Sequence, residues 1–285
     1  MPDVSASPNR RRPLQNPENG IVTTLQRFPV KSMQGEVLAA VDVTARGLLG
    51  DRAYALVDSC SGKVASAKNP RYWPGLLDFA AVFEEAPRVD GTVPSVRITT
   101  PDGGTVTSAD PAAAQSLSAA IGRTVVLSAS APAEGTLEEY WPDIEGLANR
   151  EVVTDERMPA GTFFDCATVH VLTTSTLAAL SELYPAGDFT PARFRPNIIV
   201  ATSEPGFVEQ AWVGSTLRIG DEVELEITMP CGRCVMTTLA QGDLPADAGI
   251  LRTPVKYASA SVGVYASVRR GGHIRSGDRV SIVPS

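Results

Sequence analysis

The sequence has no run of about 18 consecutive apolar residues, which excludes an ordinary membrane-spanning helix. It is also poor in the soft ligands, with four cysteines and two histidines in 285 residues. Cys60 and Cys166 stand far apart and only Cys231 and Cys234 are close, so no disulfide framework is visible. A reducing, cytoplasmic setting is the default expectation. Positive charge is not in excess: 25 Lys and Arg face 32 Asp and Glu, for a net charge of −7. No segment carries a broad basic stripe, which argues against a nucleic-acid partner. Basic residues that matter must therefore act locally, in a pocket. Residues 1–20 contain the triplet Arg10, Arg11 and Arg12 but lack the apolar run that a twin-arginine or secretory signal needs. Their composition reads as a disordered tail.

What is present is mostly β. IVTTLQRFPV, EVLAAVDVT, AYALVD, SVRITT, TVVLSA, TVHVLTT, NIIVA, VELEITM, SVGVYASV and VSIV are short β-branched runs, nearly all punctuated by Gly, Pro or Asp. Two helices are expected. DPAAAQSLSAAIG (110–122) has an Asp cap and a glycine stop, and TSTLAALSELY (174–184) puts Leu177, Leu180 and Leu183 near one face. The expected fold is mainly β, a barrel or sandwich with few helices rather than alternating βαβ units. Residues 129–163 have little periodicity and mark a boundary between a β region at 21–128 and another at 164–285. GSTLRIGDEVELEI (214–227) and GHIRSGDRVSIV (272–283) share a Gly-Asp turn between short strands, which predicts two similar hairpins.

The chemistry centres on MPCGRCVMTT (229–238). In a regular strand, residues three apart point to opposite faces, so Cys231 and Cys234 are unequal unless Gly232 introduces a bulge. A zinc site would need completion by Cys166 and His170, a C-x-x-x-H about 60 residues upstream. A reactive dithiol would need a helix N-terminus, whereas VMTT favours a strand. Two thiols without a role are the plainest reading of the pair alone. Other polar segments weaken it. FPVKS places Lys31 and Ser32 after a strand, GDR places Arg52 at a strand entry, and ARFRPNIIV places Arg193, Arg195 and Asn197 before one. Lys, Ser and Arg suit a phosphate, and a thiolate suits a soft metal. Together they point to an anionic, phosphorylated, metal-bearing cofactor.

FPVKS, GDR, FRPNIIV, PCGRCVMTT and the closing GVYASVRRGGHIRSGDRV, in this order, resemble the MOSC family, named for the molybdenum cofactor sulfurase C-terminal domain. The resemblance spans roughly residues 21–284 and extends to the family's amidoxime-reducing and bacterial stand-alone members. FRPN with a later C-x-R-C-x-x-T-T is its specific part. It implies a MOSC-type β-barrel preceded by a smaller N-terminal β-barrel region, and a molybdenum cofactor (molybdopterin). Cys234 matches the family's metal-binding cysteine and would be the catalytic ligand, with Cys231 a neighbour. Lys31, Ser32 and Arg52 would hold the phosphate end, and Arg195 and Asn197 would approach the pterin. Gly232, Thr173 and Thr174 complete the implied cofactor-binding set. The implied activity is reduction of N-oxygenated small molecules. No cysteine quartet is left for an iron–sulfur cluster, so a separate electron-donor protein is expected. The segment after Thr238 lacks the V-D-P-D-T-G continuation of the reducing enzymes, and SGKVASAKNPRYWPGLLDF also departs from theirs; it is expected to line the substrate approach. Two other readings stay open: a cofactor carrier or sulfur-transfer protein, and a cofactor-free tailoring protein.

Overall fold

The computed structural model describes residues 20–284. The expected tail at 1–20 lies outside them, except for Gly20, which opens a strand. All ten β-branched runs contain strands, and seven strands close into a barrel. Around the ring these are Ile198–Ala201, Val169–Thr173, Ser261–Arg270, Val223–Gly232, Thr216–Ile219, Arg279–Val283 and Gly20–Arg27, the last pairing back to the first. A closed ring with an odd number of strands cannot alternate direction throughout, so one pairing must be parallel. That pair is Val169–Thr173 with Ile198–Ala201. Parallel neighbours need a crossover. Here it carries the helices Thr174–Leu183 and Pro191–Phe194.

The interior follows the strand period of two: Val169 and Val171, Ile198 and Val200, Leu217 and Ile219, and Val223, Leu225 and Ile227 share one core. Val22 and Leu25 join it three residues apart because a register shift between Val22 and Thr24 adds a residue. A second core gathers short two- and three-stranded sheets around Trp73, Phe79, Ile98 and Leu117. Leu117 comes from the helix Ala113–Ile121, which Gly122 ends at φ 75° as the sequence predicts. The two regions share strands. Gly20–Arg27 belongs to the barrel, and Gly272–Arg275 pairs with Ala40–Thr44.

Several sequence expectations are corrected. The structure adds the helices Pro191–Phe194 and Gly249–Tyr257; the latter starts at a glycine and contains Pro254, which hides its apolar face of Ile250, Leu251 and Pro254. VMTT forms a 3-10 helix, Val235–Thr238, because the strand ladder ends at Gly232 and Thr237 and Thr238 bond back to Cys234 and Val235. Only one of the two Gly-Asp repeats is a hairpin. Thr216–Ile219 pairs with Val223–Gly232, whereas Gly272–Arg275 and Arg279–Val283 pair with different sheets. Residues 129–163 hold an antiparallel hairpin, Thr136–Trp141 with Val152–Arg157. Among the described residues no helix is long and apolar enough to cross a membrane.

Candidate functional site

The crossover returns to the barrel through FRPN, and the chain turns there by placing Arg195 in the left-handed region at φ 54°. Ser32 and Arg52 do the same at φ 62° and 48°. Non-glycine residues adopt this conformation at a cost, and such strain collects where surrounding structure holds a site in place. The knot here is Asp51. Its Oδ1 accepts from the Phe28 backbone N–H at 2.8 Å and its Oδ2 from Asn197 Nδ2 at 2.9 Å. The Arg52 guanidinium pairs with it as well. Asn197 Oδ1 accepts from the His170 N–H at 3.0 Å. Asn197 therefore clamps three loops to one barrel strand. Arg195 donates to the Met33 carbonyl at 2.6 Å and lies over the Phe28 ring at 4.1 Å. Burial, reinforced by Arg52, pulls its pKa down to about 9 despite Asp51 and Asp165.

These groups open onto a cavity of about 720 Å³. Arg52, His170 and Arg195 line it, together with Lys68, Asp165 and Cys166 and the hairpin residues Glu139, Trp141, Glu156 and Arg157. Gly232, Arg233 and Cys234 form the end where the strand Val223–Gly232 runs out. A side chain at Gly232 would project into open space, so glycine keeps that end clear.

The expected residues divide. Arg52, Arg195, Gly232 and Cys234 line the cavity, and Asn197 lines a small pocket that shares Arg52 and Asp165 with it. Lys31 and Ser32 are buried behind the wall. Lys31 Nζ donates to the Phe163 carbonyl at 2.8 Å and pairs with Asp165, and Ser32 Oγ accepts from the Ala67 N–H at 3.0 Å. Burial lowers the Lys31 pKa, only partly offset by Asp165. For Asp165, burial alone would raise the carboxyl, but Lys31 and Lys68 outweigh it and hold it well below the usual range. Thr173 and Thr174 do not join the set. Thr173 is fully buried, caps the helix Thr174–Leu183 through Thr176 N–H, and donates to Glu209 at 2.6 Å; Thr174 begins that helix.

The two cysteines are unequal. Cys231 is fully buried behind the end wall, with Arg233 Nη1 donating to its Sγ at 2.7 Å. Burial would raise its pKa, but Arg233 and His170 outweigh that and bring it down to about 6. Cys234 faces the cavity, and burial with the nearby Glu139 carboxylate pushes it up to about 11. Without a metal, Cys234 is a neutral thiol and Cys231 a thiolate at neutral pH. Cys166 and His170 share the cavity wall, yet among the described residues no three His, Cys, Asp or Glu side chains converge as a metal-binding group. The zinc arrangement does not assemble.

Sequence reasoning missed Lys68, Glu139, Asp165 and Arg233. Arg233 stood in view within CGRC, and Lys68 lies in the segment expected near the substrate approach. Glu139 belongs to an acidic run, Glu138, Glu139 and Asp143, that reads as a solvated loop, whereas it is buried on the strand Thr136–Trp141; Asp165 carried no local signal. The residues present fit an anionic group with a soft metal. The Arg233 Nε is buried without a hydrogen-bond partner, basic side chains surround the cavity, and Cys234 offers sulfur to it.

Comparison with known families matches residues 19–134 to the MOSC N-terminal beta barrel domain and residues 159–281 to the MOSC domain. Mitochondrial amidoxime reducing component 2 of Bos taurus is 26% identical, over 96% of this chain and 86% of its own length. The protein of the same name from Rattus norvegicus is 29% identical over 51% of this chain, which matches 43% of that relative's length. Among solved structures, the YUAD protein from Bacillus subtilis overlaps with a TM-score of 0.47 at 12% identity, covering 93% of this chain and 95% of that one.

Proposed function

Because this chain is a MOSC-domain protein, we propose that it holds a molybdenum cofactor and reduces N-oxygenated small molecules with electrons from a separate donor protein. The observation that carries the reading is Cys234, the cysteine that faces the cavity from the arginine-lined end wall. When bound, the cofactor would supply two-electron chemistry with oxygen-atom transfer. Cys234 would give its sulfur to the metal after losing its thiol proton, which its raised pKa makes costly below about pH 11. Arg52, Arg195 and Arg233 would meet the anionic parts of the cofactor with oriented guanidinium donors. Lys31 acts from behind, by fixing Asp165 in the wall. The hairpin Thr136–Trp141 and Val152–Arg157 contributes Glu139, Trp141, Glu156 and Arg157 to the cavity lining and would limit water at the reacting centre.

The test is metal analysis together with fluorescence of the released, oxidised pterin, on one sample expressed in a cofactor-competent host. Wild type is expected to carry both. Cys234→Ser is expected to lose molybdenum and N-reductive activity, and Cys231→Ser to keep part of each. Absence of molybdenum from the wild type overturns the reading. A wild type that holds the cofactor but turns over no N-hydroxylated substrate with an artificial donor is instead a carrier or sulfur-transfer protein.

A further inference from the structure

We propose that Lys68 and Glu139 form a donor–acceptor pair that grips the N–O group of the substrate: the ammonium bonds the oxygen and the carboxylate bonds the N–H. The inference rests on the reading above and assigns its substrate-facing residues.

Lys68 Nζ carries three N–H donors but makes one hydrogen bond, to Glu139 Oε2 at 2.9 Å. Asp165 Oδ2 lies beyond hydrogen-bond range at 3.9 Å, close enough to hold the charge but not to use a donor. Both Lys68 and Glu139 line the cavity, and both side chains are largely buried. Lys68 uses the Glu139 Oε2, which leaves Oε1 of this cavity-lining carboxylate as a further acceptor. Of the other cations that line the cavity, Arg52 is held by Asp51 and two aromatic rings, Arg195 by Met33 and Phe28, and Arg233 by Cys231 and the Phe194 carbonyl, and the cofactor would take their remaining donors; Arg157 is exposed on the hairpin. The backbone fixes the pair too, since the Tyr140 N–H donates to the Lys68 carbonyl at 2.8 Å. Lys68 and Glu139 line the same cavity as Cys234, where reduction would occur.

An N-hydroxylated amine or amidoxime presents an N–H donor beside a hydroxyl acceptor, the complement of this edge. Reduction follows R–NH–OH + 2e⁻ + 2H⁺ → R–NH₂ + H₂O for the amine and R–C(NH₂)=N–OH + 2e⁻ + 2H⁺ → R–C(NH₂)=NH + H₂O for the amidoxime, whose N–H donor is its amino group. The N–O bond breaks, the electron pair supplied by the donor protein reduces nitrogen, and oxygen leaves as water. Negative charge grows on that oxygen as the bond breaks, and a held ammonium stabilises it without giving up its proton. Asp165 and Glu139 beside the ammonium outweigh its burial and hold the Lys68 pKa well above normal, so the protons come from solvent.

The experiment uses cofactor-loaded protein with benzamidoxime as probe. Turnover gives kcat and KM, and quenching of tryptophan fluorescence without an electron donor gives the affinity; Trp141 lines the cavity, while Trp73 and Trp212 are buried. Lys68→Gln is expected to lower kcat roughly tenfold to a hundredfold at unchanged molybdenum and pterin content, with Lys68→Arg recovering part of it. Glu139→Gln is expected to weaken probe binding several-fold. Loss of molybdenum or pterin in Lys68→Gln makes the residue a cofactor ligand and overturns the proposal. Unchanged kcat and probe affinity in both variants, with an active molybdenum-bearing wild type, overturns it while leaving the proposed function standing. A wild type without molybdenum is the separate failure of that function.

Discussion

Removing the Arg233 guanidinium should change the charge of a residue three positions from the proposed metal ligand, and the size of the effect follows from the buried geometry. Cys231 has no exposed surface and its Sγ is 2.7 Å from Arg233 Nη1. Its pKa is about 6, against 9.0 for an ordinary cysteine. At about pH 7.5 such a thiol is roughly 97% thiolate. The depressed value means that the thiolate stabilises the fold fully above about pH 9 and not at all well below about pH 6. Between those limits, at about pH 7.5, its contribution is about 2 kcal/mol. The assay is thiolate absorbance near 240 nm in metal-free Cys234→Ser protein, with the same protein carrying Cys231→Ser subtracted. The expected midpoint is near 6, moving above 9 when Arg233→Met is added. Urea unfolding of the same set should show Cys231→Ser losing about 2 kcal/mol more at about pH 7.5 than at about pH 5.5. A midpoint near 9 before Arg233 is changed, or one near 6 after, refutes the reasoning.

Thr173→Val removes the cap to Thr176 N–H and one of two hydroxyls on Glu209. It should cost about 1–3 kcal/mol in urea unfolding and leave molybdenum content unchanged. Lys31→Met leaves Asp165 with Lys68 at 3.9 Å and should cost about 3 kcal/mol or more. Asp165 is depressed, so its stabilisation is present at neutral pH and lost on acidification; the variant should lose less than wild type as pH falls. Gly263→Ala would place a Cβ 2.3 Å from His170 Nε2 at φ 78°. It should destabilise by a few kcal/mol and raise the Cys231 midpoint by displacing the imidazole, read by the same absorbance titration.

Much of the site was legible in the chain because its parts are local. Arg52 and Arg195 sit in short loops at strand entries, where Gly50 and Pro196 signal a turn, and the C-x-x-C spacing marks the end wall. Strand parity already made Cys231 and Cys234 unequal. It could not say which was charged, since that depends on Arg233 and on His170 from a strand about 60 residues earlier. Thr173 and Thr174 misled for a related reason. A polar pair after a buried strand suits a cap as well as a ligand, and only the crossover helix and Glu209 decide between them. Lys31 was expected at the cofactor's phosphate end, whereas it is buried against Asp165, 134 residues away in the chain.

The sequence by itself determined the β character, the strand positions and the segments that supply the cavity end, because β-branching, turn residues and parity act over a few residues. Barrel closure was decided in three dimensions. Seven strands force one parallel pair, the parallel pair forces a crossover, and the crossover brings Arg195 and Asn197 onto Asp51. The hairpin's place at the cavity was decided there too, since Glu139 meets Lys68 across 71 residues. Charge pairs of that span leave no periodic trace in a chain, and only burial in a common cavity gives them their strength.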